Sequence, residues 1–342
     1  MNDRSIAILS TGLVTSVGLS APASCAAIRA KLSNPTETRF IDSGGDWIMA
    51  HQVQLEKPWR GRTKLAKMAA MAIEECLEGV EKSEWKTIPL LLCVAEKERP
   101  GRLEGLDDYL LDEIQTELAT RFNSDSAVIA QGRVAGMTAL SVAQRLIETR
   151  ACAHALIAGV DSLLAWSTLS TYEIQDRLFS RHNSNGFMPG EAGAALLVSA
   201  SEKSGDLSCI GIGFGTEACT IGKSEPLRGD GLTRAVQAAL AAGGCEMHQL
   251  DLRVSDISGE QYYFKEAALV VARLLRIHKD EFDLWNPAEC IGEVGAATGL
   301  ALVTSVHAAC GKRYTRGRLF LLHAANDAGG RAAMLLKFEA AT

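Results

Sequence analysis

The chain has 342 residues, 47% of them hydrophobic and 22% charged, and a formal net charge of −6. That length exceeds what one hydrophobic core usually holds, so two fused halves or one large two-part fold are expected. The acidic balance argues against a nucleic-acid partner, and nine scattered cysteines without a CxxC pair suggest neither a zinc nor a redox centre. No metal and no cofactor is expected. The cysteines read as reduced, buried thiols, the opening MNDRSIAILSTG has no apolar stretch long enough for a signal sequence, and no run approaches the ~20 residues of a membrane span. A cytoplasmic protein is expected.

Along the chain the same order of elements occurs twice. Residues 5–15 (SIAILSTGLVT) predict a strand with a glycine turn, and residues 208–218 (SCIGIGFGTEA) its counterpart. Amphipathic helices follow at 63–80 and 231–242. Strands are then expected at 88–95 and 252–257, and helices at 105–121 and 264–275. A strand, a glycine-rich turn and a buried helix come next in both parts, 127–147 against 284–309. Each part closes on two strands, 154–162 and 194–200 in the first, 318–324 and 332–338 in the second. Strands alternating with helices imply parallel sheet layers covered by helices, and the repeat implies a pseudo-two-fold axis. The expected architecture is a layered α/β/α/β/α duplication with halves 1–204 and 205–342.

The stretch Ser126–Arg150 holds the centre of this plan. Ala127–Ala130 is a short apolar strand, Gln131-Gly132-Arg133 a turn, and Val134–Ile147 a helix apolar on most sides. Arg133 thus opens a helix whose unpaired N–H groups and dipole favour negative charge, the place where enzymes set a nucleophilic thiolate. A cation there is a mismatch.

The order of elements resembles the thiolase superfamily, and within it the β-ketoacyl-acyl-carrier-protein synthases. The likeness is carried by Ile8-Leu-Ser-Thr-Gly-Leu-Val-Thr-Ser-Val-Gly18, by Ala158-Gly-Val-Asp-Ser162, by Ile291-Gly-Glu-Val-Gly-Ala-Ala297 and by Ala328-Gly-Gly330. Its most specific part is Asn185-Gly-Phe-Met-Pro-Gly-Glu-Ala-Gly-Ala-Ala195, similar to the family's DGFVxGEGAG segment. The resemblance implies a thiolase-like fold and a site of one cysteine and two histidines. Here the nucleophile's place falls on Arg133. The first histidine falls on Asp256 and the second on Gly292 or Glu293; the threonines that meet the pantetheine arm fall on Ser258 and Glu260; the gating phenylalanine falls on Ala328. Arginine is no nucleophile, and neither carboxylate acts as a neutral imidazole does.

The resemblance therefore implies a non-catalytic binding or scaffold protein, the alternative being a 3-oxoacyl synthase or acyltransferase with non-standard residues. Cys290 and His323 are the candidates for such displaced chemistry, with Cys219 weaker still; the commoner meaning is a packed thiol and a satisfied imidazole. Arg133, Asp256 and Glu293 are expected to converge in a salt bridge that closes the old substrate site. Glu191 and Asp161 match positions that are structural more often than catalytic. The basic run Lys57, Arg60, Arg62, Lys64 and Lys67, with Trp59, matches the surface where the family docks its acidic carrier protein, although a solvated helix face is the commoner meaning. An exposed Trp59 favours the first and a buried one the second. Short, degenerate homologues also resemble proteins encoded beside type VI secretion genes, which adds a secretion-system protein to the partners. The charged loop 96–104 and the stretch 180–185 read as surface. A homodimer is expected, pairing across its axis through His154–Ala158.

Overall fold

The computed structural model describes residues 5–201 and 207–339. The first half runs β1 (Ile6–Val14), α1 (Ala21–Arg29), the hairpin β2 (Thr36–Ile41) and β3 (Trp47–Ala50), α2 (Gly61–Cys76), β4 (Leu90–Val94), α3 (Leu110–Glu117), β5 (Ala127–Ala130), α4 (Ala135–Glu148), β6 (His154–Ser162), α5 (Trp166–Ile174) and β7 (Glu191–Ala200). The second runs β8 (Leu207–Thr216), α6 (Asp230–Gly243), β9 (Leu252–Ser255), α7 (Gln261–Leu274), β10 (Leu284–Trp285), α8 (Ala288–Ile291), α9 (Thr298–Gly311), β11 (Leu319–Ala325) and β12 (Gly330–Phe338). The α1 helix, the β2–β3 hairpin and α5 are additions that hydrophobic periodicity did not reveal. Each is short and packs through a few residues, and α1 depends on a local device, the Ser20 hydroxyl accepting from the Ala23 amide.

Among the described residues ten strands form one sheet in the order β10-β9-β11-β12-β8-β1-β7-β6-β4-β5. Either side of the β8–β1 junction the order is the same, with β8 matching β1, β12 matching β7, β11 matching β6, β9 matching β4 and β10 matching β5. The pairing directions match as well: β4–β5, β4–β6, β9–β10 and β9–β11 are parallel, whereas β6–β7, β1–β7, β11–β12 and β8–β12 are antiparallel. The sheet is thus mixed rather than parallel, because the two closing strands of each half run antiparallel to each other. The halves meet where Ile6, Ala7 and Ile8 pair with Cys209, Ser208 and Leu207. The boundary expected between residues 204 and 205 lies outside the described residues.

The core has three principal parts. Leu65, Met68 and Ile73 of α2 pack with Leu90 and Leu92 on one outer face. Leu232 and Val236 of α6 pack with Leu321 and Leu335 on the other. Between the two half-sheets lie α4 and α9, where Met137 and Leu140 meet Leu300, Val303 and Val306 and strand residues from both halves. This is the five-layer α/β/α/β/α arrangement. It buries α9 on nearly every side, which explains why its apolar residues show little amphipathic pattern.

One expectation is corrected here. His154–Ala158 cannot continue the sheet into a second copy, because β6 is hydrogen-bonded to β4 on one side and to β7 on the other. The open edge of the first half is β5, the strand that precedes the buried helix.

Candidate functional site

The two middle-layer helices are entered through matching turns. Gly132-Arg133-Val134 forms a 3-10 turn before α4, and Gly295-Ala296-Ala297 forms one before α9. Gly132 has φ 56° and Gly295 φ 53°, the left-handed region that favours glycine. Close approach demands glycine too. A Cβ at Gly132 would stand 2.0 Å from Glu96 Oε2, and one at Gly295 would stand 2.0 Å from Asp161 Oδ2. Arg99 ties those two carboxylates together, donating to Glu96 at 2.7 and 3.2 Å and to Asp161 at 2.8 Å, while Asp161 also accepts from the Ala296 amide at 2.9 Å.

The loop 96–104, read from the sequence as surface, therefore sends inward two side chains, Glu96 and Arg99, that are both buried. Their charges satisfy each other and Asp161, which is what makes such burial tolerable.

Arg133 is buried in the cleft between the halves, 6% exposed. One guanidinium nitrogen donates to Glu293 at 3.1 Å and lies 3.7 Å from Asp256; the other donates to Asp327 and to the Tyr263 hydroxyl, both at 2.7 Å. The guanidinium carbon stands 4.6 Å from the centre of the Tyr263 ring. Arg177 makes a second clamp, bidentate on Glu260 at 2.7 and 2.9 Å and on Asp327 at 2.6 and 3.2 Å. Asp327 also accepts from the Tyr263 hydroxyl at 2.6 Å, and Ser258 donates to Glu293 at 3.2 Å. Three arginines, Arg99, Arg133 and Arg177, thus stand among six carboxylates, Glu96, Asp161, Asp256, Glu260, Glu293 and Asp327.

Burial is the larger influence on protonation, and the excess of carboxylates adds to it. Burial pushes Glu293 up to about 7; Arg133 opposes the rise and Asp256 adds to it. Burial also raises Asp256 and Asp161 against the pull of Arg133 and Arg99 respectively. Burial alone would raise Asp327, but Arg133 and Arg177 outweigh it and hold its carboxyl below the usual range. Arg133 stays cationic despite its burial, because Tyr263, Glu293, Asp327 and Asp256 surround it. The space left among Glu96, Arg99, Arg133, Tyr172, Arg177 and Glu293 is about 10 Å³, at the threshold for a single water.

The structure thus brings Arg133, Asp256, Ser258, Glu260 and Glu293 together. Gly292 contributes only a turn, at φ 74° against the Met188 and Pro189 carbonyls, and Ala328 is exposed. Cys290 and His323 are not joined by a hydrogen bond. The Cys290 thiol faces the Ile28 carbonyl at 4.0 Å with its pKa raised by burial, and His323 is buried in β11, pushed down to about 3 by burial with Arg253 adding. Cys219 lies half-buried beyond α7, its carbonyl accepting from the Tyr262 hydroxyl.

Of the basic run, Arg62 is bidentate on Glu113, Lys67 pairs with Glu117, and Lys64 is turned inward onto Glu191, which also accepts from the Ser162 hydroxyl and the Val53 amide. Lys57 and Arg60 remain exposed without an ion-pair partner among the described residues. Trp59 is neither exposed nor buried: it is half-covered, with Lys57 and Lys67 5.7 and 4.6 Å from its ring centre.

Sequence reading missed Asp327, Tyr263, Arg177, Glu96 and Arg99. Two signals were present. Asp327 immediately precedes the Ala328-Gly-Gly330 stretch, and Glu96 and Arg99 are opposite charges three residues apart. Nothing local marks Arg177 or Tyr263.

No family model matches the chain. It is 27% identical over 213 residues to "Putative polyketide beta-ketoacyl synthase 2" of Streptomyces coelicolor, a match that covers 58% of this chain and 50% of that protein. The chain spans about half the length of this curated relative. A solved complex of a type II polyketide acyl-carrier protein with its ketosynthase contains a chain that matches at a TM-score of 0.81 and 12% identity, over 98% of this chain and all of that one. A ketosynthase in complex with its chain length factor from Xenorhabdus doucetiae matches at 0.75 and 12% identity, over 98% of both chains. The fold is that of the thiolase-like ketosynthases. No helix among the described residues is long and apolar enough to cross a membrane.

The network makes two measurable demands. Arg133→Ala leaves Asp256 and Glu293 facing each other without the guanidinium between them and Asp327 with Arg177 alone, so urea unfolding at pH 8 is expected to show a loss of ~3–5 kcal/mol, and a smaller loss at pH 5.5, where protonation relieves the repulsion. The second demand concerns Glu293, whose folded value of about 7 lies above its ordinary 4.5. The folded chain therefore holds a proton that the unfolded chain has lost, and this contribution is complete below about 4.5 and disappears as pH rises through about 7. Glu293→Gln is expected to flatten the stability profile between pH 5 and 8; an unchanged slope would place the titration elsewhere.

Proposed function

We propose that this chain is a cytoplasmic, non-catalytic ketosynthase-like protein that acts by binding. The observation that carries the reading is the buried Arg133 guanidinium, held by Glu293, Asp327 and Tyr263 where the resemblance puts the nucleophilic cysteine. A guanidinium that cannot lose its proton forms no thioester. The resemblance puts its histidines on Asp256 and on Gly292 or Glu293, none of which carries an imidazole, and the remaining 10 Å³ or so admits no acyl chain. The three changes remove groups that act as a unit, so one retained group would not preserve the activity.

Among the partners that the resemblance implies, an acyl carrier protein and a secretion-system protein, the unpaired Lys57 and Arg60 beside the half-exposed Trp59 support the first: an acidic carrier would complement them. The β5 edge supports pairing with a second copy. Among the described residues its outer side meets no other strand, and Val128 and Ile129 there are only half-buried.

Incubation with acyl-carrier thioester and malonyl carrier is expected to give no acyl adduct by intact mass spectrometry and no β-ketoacyl product. An adduct on any cysteine, or a condensation product, overturns the reading. Arg133→Cys is expected to label with iodoacetamide faster than the buried native cysteines, though modestly because nearby carboxylates raise its pKa, and still to form no carbon–carbon bond. Light scattering at micromolar concentration is expected to return the mass of two chains, with a monomer counting against pairing at β5.

A further inference from the structure

A second cavity, of about 440 Å³, opens on the first half between the hairpin strand β2, the start of α2 and the segment after β6. Its volume is that of a small-molecule site rather than a packing defect. Phe40, Val53, Leu55, Trp59, Leu103 and Leu164 supply apolar walls. Four basic side chains line it, Arg39, Lys57, Arg60 and Lys64, against one carboxylate, Glu191.

The charges on its floor are already spent. Glu191 is held by Lys64, the Ser162 hydroxyl at 2.8 Å and the Val53 amide at 3.1 Å, and both members of the ion pair are largely withdrawn from solvent. That leaves Arg39, Lys57 and Arg60 on the rim, none of them in an ion pair among the described residues. The 16-residue helix α2 begins at the same place. Its cap, Arg60, makes no side-chain hydrogen bond to the first turn, and Gly61 lines the cavity, so N–H groups at the positive end of the dipole lack a side-chain cap. Apolar walls with an unneutralised cationic mouth define an occupant that is apolar in its body and anionic at one end.

We propose that this cavity binds a small amphipathic anion, an aliphatic or aromatic body carrying a carboxylate or phosphate head, with the body against Trp59, Phe40 and Leu164 and the head at Lys57, Arg60 and the α2 N-terminus. The assignment concerns a site apart from the filled cleft. It does not depend on whether a carrier protein docks on the same rim.

Isothermal titration of the full chain at pH 7.5 with octanoate, octyl phosphate, octanol and octylamine tests it. At least one of the two anions is expected to bind with one site per chain, and octanol and octylamine at least tenfold more weakly; whichever anion binds tighter identifies the head as carboxylate or phosphate. Lys57→Glu together with Arg60→Glu changes two exposed side chains, so the melting temperature is expected to hold while anion binding falls at least tenfold. Octanol binding as well as octanoate, unchanged binding by the double variant, or no heat from either anion up to millimolar concentration overturns the proposal. Because the titration contains no carrier protein, its failure leaves the carrier-docking reading standing, and the reverse also holds.

Discussion

A cation buried among carboxylates between two halves of one chain is the constraint on which the rest of this structure depends. Arg133 and Arg177 come from the first half, and Asp256, Glu260, Tyr263, Glu293 and Asp327 from the second, so each clamp crosses the pseudo-two-fold seam. Arg99 extends the same network to the turns that open α4 and α9. A buried arginine without these partners would be prohibitively costly, and the partners without it would repel one another. The network holds together because all its members are present. Burial raises Glu293 to about 7, so a proton held there offsets part of the excess of carboxylates.

The duplication explains why the network forms where it does. Two halves with the same strand order bring two glycine turns to one axis, and at both turns the missing side chain is replaced by a carboxylate from elsewhere in the fold, Glu96 at Gly132 and Asp161 at Gly295. The resemblance implies a cleft at this convergence. Here the arginine and its acidic partners fill it, and the larger cavity lies instead at the α2 entrance, where cations outnumber carboxylates. An acidic chain thus keeps a local basic mouth, as electrostatic recognition requires.

The basic run shows how tertiary contacts reassign residues that look alike in sequence. Lys57, Arg60, Arg62, Lys64 and Lys67 read as one patch. In the fold Arg62 and Lys67 both cross to α3, Lys64 turns inward to Glu191, and among the described residues only Lys57 and Arg60 of the run stay without an ion pair. Their common charge was legible; their separate destinations were not, because each depends on which distant carboxylate the packing brings within reach.

By itself the sequence determined the alternation of strands and helices, their repetition in two halves, the buried character of the α4 and α9 stretches, and the presence of Arg133, Asp256 and Gly292 or Glu293 where the family resemblance places a cysteine and histidines. These follow from short-range pattern, in which hydrophobic periodicity and glycine turns are set by neighbours in the chain. Only the tertiary structure decided that β6 is interior and β5 the edge, that the loop with Glu96 and Arg99 turns inward, and that Asp327, Tyr263 and Arg177 complete the site. The inward turn of that loop and the completion of the site rest on contacts between residues 62 to 194 positions apart. At such separations no local pattern says which buried charge will meet which partner, and the fold alone closes the distance.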